Sequence, residues 1–233
     1  MNQNNFISEV ENLGLSVTDE KLNQLEKYYE LLIEYNKVMN LTGITKKEEV
    51  YLKHFYDSLA LSKIINLNEE KSLCDLGSGA GFPGIVLKIF YPNLNIVLVD
   101  SLKKRINFLN IVIKELNLKG IVAIHARIED YSKENKEKFD IVTARAVAPL
   151  NILLELGINL VRVNKYFIAM KGNINNEPSL KNTLEKLDCK LTNVLEFKLP
   201  IEESNRSLIK ITKQKSTNKL FPRKYAEIKK RPL

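Results

Sequence analysis

The sequence predicts an α/β fold, in which a doubly wound, mostly parallel seven-stranded sheet follows an N-terminal helical segment. From residue 71 onward, short apolar runs alternate with stretches of helical periodicity, which is typical of a sheet with helices on both faces. A turn containing four glycines separates the first strand from its helix. Only 199–205 lie between the last two strands. These residues are too few for a helical crossover, so the two strands should pair antiparallel near the C-terminal edge.

The first 66 residues are predicted to be helical. Thr18, followed by two acids, is typical of a helix start, and apolar residues such as Leu25 and Leu32 then recur on one face. We therefore divide the 233 residues into a helical extension packed on the core (1–66), an α/β domain (67–212) and a basic tail (213–233).

The remaining elements follow from hydrophobic periodicity. Strands are predicted at 72–76, 95–100, 120–125, 139–143, 165–170, 190–197 and 206–212. Helices are predicted at 83–90, 102–117, 149–162 and 178–188.

The turn after the first strand carries the strongest chemical signal. Its glycines are Gly77, Gly79, Gly81 and Gly84. Glycine permits positive backbone torsions and lets a ligand lie against the main chain, while a helix start presents unpaired N–H groups. A turn that only links strand and helix is the alternative, but four glycines with acids at both strand ends fit it poorly. The turn is therefore predicted to hold a ligand.

Two ligands compete for this turn. Gly79 to Gly84 match the dinucleotide pattern G-x-G-x-x-G, and Asp100, at the end of the second strand, suits the ribose hydroxyls of either ligand. Asp75 lies just ahead of the first glycine. A carboxylate there would repel a pyrophosphate but tolerate the cationic sulfonium of S-adenosylmethionine. Asp75 and the antiparallel strand together favour a Rossmann-like class I S-adenosylmethionine-dependent methyltransferase.

Other candidate residues follow the third and fourth strands, because ligands of open α/β sheets bind above the carboxyl ends of strands. Ile128 is placed to pack on an adenine ring, and Glu129 or Asp130 to accept a hydrogen bond from its amino group. Arg145 ends a central strand, where the methyl-accepting base should arrive, and is the predicted catalytic residue. A surface ion pair or a helix cap is the alternative role for Arg145.

His54 and Asp57 precede the glycine turn and share one helical face at a spacing of three. Their pattern leaves a structural and a functional role equally open. Cys74 and Cys189 are far apart and give no metal-binding spacing, so no metal site is expected. Neither a leader nor a membrane span is visible. The two cysteines are interpreted as small apolar residues of a protein in a reducing cytoplasm.

Positive charge is concentrated in the tail. Of a net charge of +8, the eight Lys or Arg residues and one acid of 213–233 contribute +7. Such an arm favours a polyanionic partner, nucleic acid before membrane, and a solubilising tail is the alternative. Removal of 213–233 is therefore expected to weaken RNA affinity and to spare cofactor affinity.

Two absent motifs narrow the chemistry. The loop from Thr143 to Pro149 lacks paired prolines, which argues against exocyclic amine methylation, and the chain has no Pro-Cys nucleophile for a covalent pyrimidine adduct. A ring nitrogen with a free lone pair, such as guanine N7, needs neither device. Catalysis would then consist of alignment and exclusion of water.

The motifs together resemble the RsmG (GidB) family of bacterial methyltransferases, which modify guanine N7 in small-subunit (16S) ribosomal RNA. The resemblance covers essentially the whole chain. It rests on Asn40-Leu-Thr42, His54-x-x-Asp57-Ser58, Asp75 to Gly84, Asp100 to Leu109, Arg127-Ile-Glu129, Arg145-Ala146, Lys171-Gly172, Arg206, Pro222-Arg-Lys224 and Pro232-Leu233.

The resemblance implies a metal-free, bacterial cytoplasmic enzyme with family cofactor contacts at Gly77, Phe82, Ile128, Glu129 and Arg145. We also expect a monomer. This sequence departs from the family at Ala144, where serine is frequent, and at Tyr225-Ala-Glu-Ile, where related tails usually carry a glycine and a proline. The predicted RNA-binding residues are His54, Asp57, Lys171, Arg206, Arg223 and Lys224.

Two other functions remain open at this point. A non-catalytic RNA-binding or ribosome-assembly factor on the same fold would bind RNA with a steep salt dependence and show no turnover. A dehydrogenase is the more distant alternative, since no second substrate domain follows the sheet.

Overall fold

A computed structural model of the chain describes residues 1–175 and 177–233. A seven-stranded sheet with the order β3-β2-β1-β4-β5-β7-β6 forms its centre. The first five strands pair in parallel, whereas β7 is antiparallel to both β5 and β6. This confirms the predicted fold class. The strands are β1 Ser72–Leu76, β2 Asn95–Asp100, β3 Ile121–His125, β4 Phe139–Arg145, β5 Val161–Lys171, β6 Cys189–Lys198 and β7 Asn205–Lys213.

Helices precede the sheet and cover both of its faces. The bounds are α1 Gln3–Glu11, α2 Asp19–Met39, α3 Lys47–Val50, α4 Asp57–Leu59, α5 Gly84–Phe90, α6 Lys103–Glu115, α7 Ile128–Glu134, α8 Leu150–Gly157, α9 Lys181–Lys186 and α10 Tyr225–Lys230. Hydrophobic periodicity missed the two short helices α7 and α10, which have 7 and 6 residues.

The helix predicted at 149–162 ends earlier than its periodicity suggests. It stops at Gly157, passes through a 3-10 turn, Ile158–Leu160, and gives way to β5 at Val161. A Cβ at Gly157 would lie 2.6 Å from Leu76 Cδ1, so glycine lets the helix end pack directly on the sheet. Valines at positions 161 and 163 then favour the extended chain.

Two apolar cores lie on the opposite faces of the sheet. Consecutive residues of β1 serve different cores, because Leu73 packs into one and Cys74 into the other. The N-terminal helices share the core of Leu73, and the Tyr28 hydroxyl donates to the carbonyl of Ala80 within the glycine turn at 2.5 Å. The N-terminal segment therefore supports the turn directly.

A π-helical segment, Tyr51–Tyr56, joins α3 to α4. A π-turn widens the helix and often marks a functional site, since it redirects side chains away from the ordinary helical spacing. Here it presents Lys53 and His54 toward the carboxyl edge of β4. Among the helices within 1–175 and 177–233, none combines the length and the apolar character needed to cross a bilayer.

Candidate functional site

The glycine turn is held against the carboxyl edge of the sheet by backbone and carboxylate contacts. Gly77 and Gly79 have φ values of +66° and +59°, which L side chains rarely adopt. The N–H of Gly77 donates to the carbonyl of Val99 at 2.8 Å, and that of Gly79 donates to the Asp100 carboxylate at 2.9 Å. The turn therefore binds to the end of β2 as well as continuing from β1.

Asp100 connects three neighbouring groups. Its Oδ2 accepts from Gly79 and, at 3.2 Å, from the Arg105 guanidinium, while Oδ1 accepts from the N–H of Leu102 at 2.9 Å. The carboxylate is buried yet borders a cavity. Arg105 is one-third exposed, so a ligand hydroxyl at Asp100 would compete with a partly exposed cation for Oδ2.

A cavity of about 270 Å³ lies beside the glycine turn, and we name it the glycine-turn cavity. It includes four of the predicted cofactor residues, which come from the ends of β1, β2 and β3. Its lining residues are Gly77, Asp100, Ser101, Arg105, Arg127, Ile128, Glu129, Ala146, Val147, Ala148, Leu156 and Tyr225. A Cβ at Gly77 would meet Val147 Cγ2 at 2.6 Å, so the close approach of this loop requires glycine.

Asp75 lies below the turn and does not line the glycine-turn cavity. Its Oδ2 accepts from the N–H of Gly84 at 3.0 Å, and its Oδ1 finds no hydrogen-bond partner among the described residues. Complete burial raises the pKa of the Asp75 carboxyl to about 7, against the opposing effects of the Gly84 N–H and the Arg145 charge. Its observed contact is thus with the start of α5, whereas the sequence interpretation had placed it against the ligand.

Gly79, Gly81 and Phe82 also lie outside the cavity wall. Gly81 has a φ of +104°, and a Cβ there would meet Ile85 Cγ1 at 2.6 Å. Phe82 is buried and stacks on the His54 ring with a centroid separation of 4.4 Å. These residues hold the turn in place, and the structure brings none of them to the cavity.

Arg145 is the centre of a second cluster. Its Nη1 donates to Asp57 Oδ2 and to the carbonyl of Lys53, both at 3.0 Å, and its Nη2 lies 3.2 Å from His54 Nδ1. The guanidinium carbon lies 5.2 Å from the centroid of the Phe82 ring. Arginine suits this position because its planar group can serve a carboxylate, a carbonyl and a ring nitrogen together.

Asp57 joins two arginines. Its Oδ1 accepts from Arg206 Nε at 3.0 Å while its Oδ2 accepts from Arg145. The carboxylate is only 6% exposed, and both of its oxygens have charged partners. Asp57 therefore fixes the directions of two cations from distant parts of the chain.

His54 is neutral in this cluster. Burial, together with the nearby Arg145 charge, lowers the pKa of the imidazole to about 3. Its Nδ1 lies 3.2 Å from Arg145 Nη2 and 3.1 Å from the carbonyl oxygen of Lys53, and its Nε2 lies 2.8 Å from the Thr42 hydroxyl. His54 thus orients Arg145 and, in this state, carries no charge of its own.

A second cavity, of about 320 Å³, opens beside Arg145, and we name it the arginine cavity. Its wall combines cations with apolar and aromatic side chains, and Ala146 lines both cavities. Ala146 has a φ of +56°, so the backbone turns sharply where the two spaces meet. The arginine cavity is lined by Ile44, Lys53, His54, Asp57, Arg145, Ala146, Met170, Lys171, Gly172, Phe197, Arg206, Ser207 and Leu208.

Lys171 holds the loop between the cavities. Its ammonium donates to the carbonyl of Ala148 at 2.7 Å and pairs with Glu177 at 2.7 Å. Glu177 in turn accepts from the N–H of Leu150 at 2.7 Å. The Lys171 side chain is 13% exposed and lines the arginine cavity.

The two predicted tail residues differ in their surroundings. Arg223 makes a bidentate pair with Glu155, whose side chain is fully buried, at 2.7 and 2.6 Å. Lys224 is exposed. Within the described parts of the chain, no group of three or more His, Cys, Asp or Glu residues is arranged to hold a metal ion.

Sequence reasoning missed Lys53, Val147 and Tyr225. Lys53 precedes His54 but reaches the site through the π-helical segment, for which the sequence has no simple signal. Val147 belongs to the loop after Arg145, so the strand-end rule could have included it. Tyr225 comes from the tail, which charge counting had assigned to RNA alone.

Known proteins place the chain in one family. The family described as rRNA small subunit methyltransferase G matches residues 21–208. A protein of Bacillus licheniformis named Ribosomal RNA small subunit methyltransferase G is 45% identical over 237 positions, covering 100% of this chain and 99% of the relative. A relative of the same name from Bacillus thuringiensis is 46% identical over the same coverage.

Solved structures resemble the fold at low identity. A SAM dependent methyltransferase from Aquifex aeolicus has a TM-score of 0.54 at 13% identity, covering 74% of this chain and 97% of its own. M. jannaschii TYW2, solved in complex with AdoMet, has a TM-score of 0.57 at 16% identity, covering 73% and 79%. With the match over 21–208 and the full-length relatives, these observations show that the chain belongs to the rRNA small subunit methyltransferase G family.

Proposed function

We propose that this chain transfers a methyl group from S-adenosylmethionine to N7 of a specific guanine in 16S ribosomal RNA. The observation that carries the proposal is the meeting of two unlike cavities at Ala146. The first is bordered by a glycine turn and carries two carboxylates and two arginines, whereas the second combines cations and apolar groups around the buried Asp57. Membership of the family supports the reaction class, and the names of the relatives support ribosomal RNA as the substrate.

The residues of the glycine-turn cavity fit S-adenosylmethionine. Gly77 lines the cavity with bare backbone and allows Val147 to approach the turn closely, and Asp100 offers a carboxylate suited to a ribose hydroxyl pair. Ile128 and Glu129 supply an apolar surface and an acceptor suited to adenine. When bound, S-adenosylmethionine supplies an electrophilic methyl group on a cationic sulfur.

The arginine cavity fits an extruded guanine and its phosphates. Enzymes that act on a base take it out of the stack into a pocket, where apolar side chains contact its faces. Met170 and Phe197 line the cavity with such surface, while Lys171 and Arg206 offer positive charge to the RNA backbone. His54 and Asp57 are buried, so we propose that they serve RNA binding by holding Arg145 and Arg206.

Guanine N7 suits the protonation states of this site. The N7 lone pair carries no proton, so methylation needs no general base. The pKa of His54 is lowered to about 3, which makes its imidazole a weak base, and guanine N7 has no proton to give it. Arg145 would instead orient the base by directional hydrogen bonds, and the apolar walls would exclude water. Asp57 offsets the charge of two arginines beside a base that becomes cationic on methylation.

The chain organisation remains part of the proposal. We assign cofactor binding to 67–212, support of the glycine turn to the helical extension 1–66, and RNA contact to exposed cations of 213–233, including Lys224. We propose that the protein acts as a cytoplasmic monomer on ribosomal RNA or the small subunit.

Gly77→Val is expected to weaken S-adenosylhomocysteine binding at least about tenfold, as measured by isothermal titration calorimetry. The left-handed conformation costs a branched residue about 1 to 2 kcal/mol, and a Cβ would already meet Val147 at 2.6 Å. The valine would therefore displace the cavity wall.

Gly14→Val is the matched control. Gly14 also has a positive φ, +77°, but a Cβ there would meet nothing within 4 Å and the residue lies outside the cavity. Gly14→Val should have a lower Tm because of the backbone strain, and it should bind S-adenosylhomocysteine with wild-type affinity. Equal affinity of Gly77→Val and wild type would remove the cofactor assignment.

A further inference from the structure

Tyr225, from the C-terminal part of the chain, lines the glycine-turn cavity. It is the first residue of α10 and is 39% exposed. It lines the cavity together with Ile128 and Glu129, although these residues are far from it in sequence. We name residues 223–233 the C-terminal segment. An aromatic ring with a polar hydroxyl at a half-open cavity wall can contact a flat ligand and still reach water.

Arg223 anchors the start of the C-terminal segment. Its guanidinium makes two charged hydrogen bonds to Glu155 on α8, and its backbone N–H donates to the same carboxylate at 3.2 Å. Glu155 is fully buried, so this contact is shielded from solvent. The residue two positions before Tyr225 is therefore fixed.

Ile228 and Leu233 anchor the rest of the segment. Ile228 is fully buried in a small apolar cluster with Ile152 and Leu156 of α8. The carbonyl of Leu233 accepts from the Thr183 hydroxyl at 2.9 Å. Anchors on both sides of Tyr225 thus make the C-terminal segment a fixed part of the fold.

Ile128 shows which end of the cavity the segment borders. Ile128 packs against the same cluster that holds Ile228, and it also lines the glycine-turn cavity. In the proposed function, Ile128 and Glu129 contact the adenine. The C-terminal segment therefore borders the part of the cavity that Ile128 lines.

We propose that Tyr225 is a cofactor-binding residue, and that the C-terminal segment forms one wall of the nucleoside end of the site. The inference rests on the proposed function, since it assumes an adenosyl ligand. It also changes the expected effect of removing the tail. Deletion of 213–233 would remove this wall and the buried Lys213 of β7, so cofactor affinity should fall together with RNA affinity.

Tyr225→Ala in the full chain tests the proposal by calorimetry with two probes, S-adenosylhomocysteine and 5′-methylthioadenosine. We expect both affinities to fall about tenfold, equivalent to about 1.4 kcal/mol, because both probes carry the adenosyl group that Tyr225 would contact. Tyr225→Phe retains the ring and should stay within about twofold of wild type. Glu227→Gln changes an exposed residue of the same helix outside the cavity and should leave both affinities unchanged.

The outcomes separate this inference from the proposed function. Wild-type affinity of Tyr225→Ala for both probes would overturn the role of Tyr225. A loss for S-adenosylhomocysteine alone would overturn its placement at the nucleoside end. Failure of the wild-type chain to bind either probe would reject the proposed function instead. If Tyr225→Ala lowers the Tm, Tyr225→Leu, which keeps apolar bulk, replaces it under the same criteria.

Discussion

Arg145→Ala is expected to lower the rate of methyl transfer to ribosomal RNA by about 100-fold or more under single-turnover conditions. Arg145 lines the arginine cavity next to Ala146, and its guanidinium is fixed by Asp57, by the Lys53 carbonyl and by His54. A base held by this group would lose its alignment, and a misplacement of about 1 Å can cost about 100-fold in rate. The assay is transfer of a labelled methyl group with enzyme in excess.

Arg162→Ala provides the control for Arg145. Arg162 also pairs with a buried aspartate, Asp140, at 2.6 Å, but the pair lies at the amino end of β4 and lines neither cavity. Its rate should match wild type. Arg145→Lys keeps the positive charge but loses the planar set of guanidinium donors, so its rate should be closer to that of Arg145→Ala than to that of wild type. A wild-type rate for Arg145→Ala would remove Arg145 from the proposed mechanism.

Arg223→Ala is expected to lower the free energy of unfolding by about 3 kcal/mol or more. Glu155 is fully buried, and the substitution leaves its carboxylate without the guanidinium that makes two of its hydrogen bonds. Removing one partner of a buried ion pair typically costs about 3 to 5 kcal/mol. Urea unfolding followed by circular dichroism measures the change.

Two further variants serve as controls for the effect of Arg223→Ala. Lys198→Ala breaks an exposed pair with Glu203 and should cost less than about 1 kcal/mol. Adding Glu155→Gln to Arg223→Ala removes the unpaired charge and should restore part of the lost stability, which a double-mutant cycle would show. A change of less than about 1 kcal/mol in Arg223→Ala would mean that the C-terminal segment is not anchored as described.

The sheet and its strand-end residues could be predicted because their signals are local and periodic. All seven predicted strands are present, with bounds that differ by at most one or two residues except for β5, which starts at Val161 and not at 165. The strand-end rule also located Gly77, Asp100, Ile128 and Glu129 on one cavity. A parallel α/β sheet fixes these positions through topology alone.

Asp75 shows what the pattern could not specify. An acid ahead of the first glycine suggested a charge facing the ligand, yet the alternation of side chains along β1 turns it inward toward Gly84. Whether a strand-end side chain points to the ligand or to the following helix depends on the register of the turn. The preference for S-adenosylmethionine over a dinucleotide therefore rests on family membership.

The tail shows a second limit. Its composition indicated a cationic arm, but Lys213 is fully buried beside Glu137, and Arg223 is engaged with Glu155. Charge counting cannot separate cations that face solvent from those that pair inside the fold. The anchoring residues Ile228 and Leu233 carried the missing signal, since apolar residues within a basic tail indicate packing.

The most direct test of the two-cavity account is identification of the methylated nucleoside. The purified chain is incubated with labelled S-adenosylmethionine and small-subunit ribosomal RNA from a strain that lacks the protein, and the RNA is digested and separated. We predict that the label appears at a single site as N7-methylguanosine. Label in any other nucleoside, or no transfer by a chain that binds the RNA, would contradict the account.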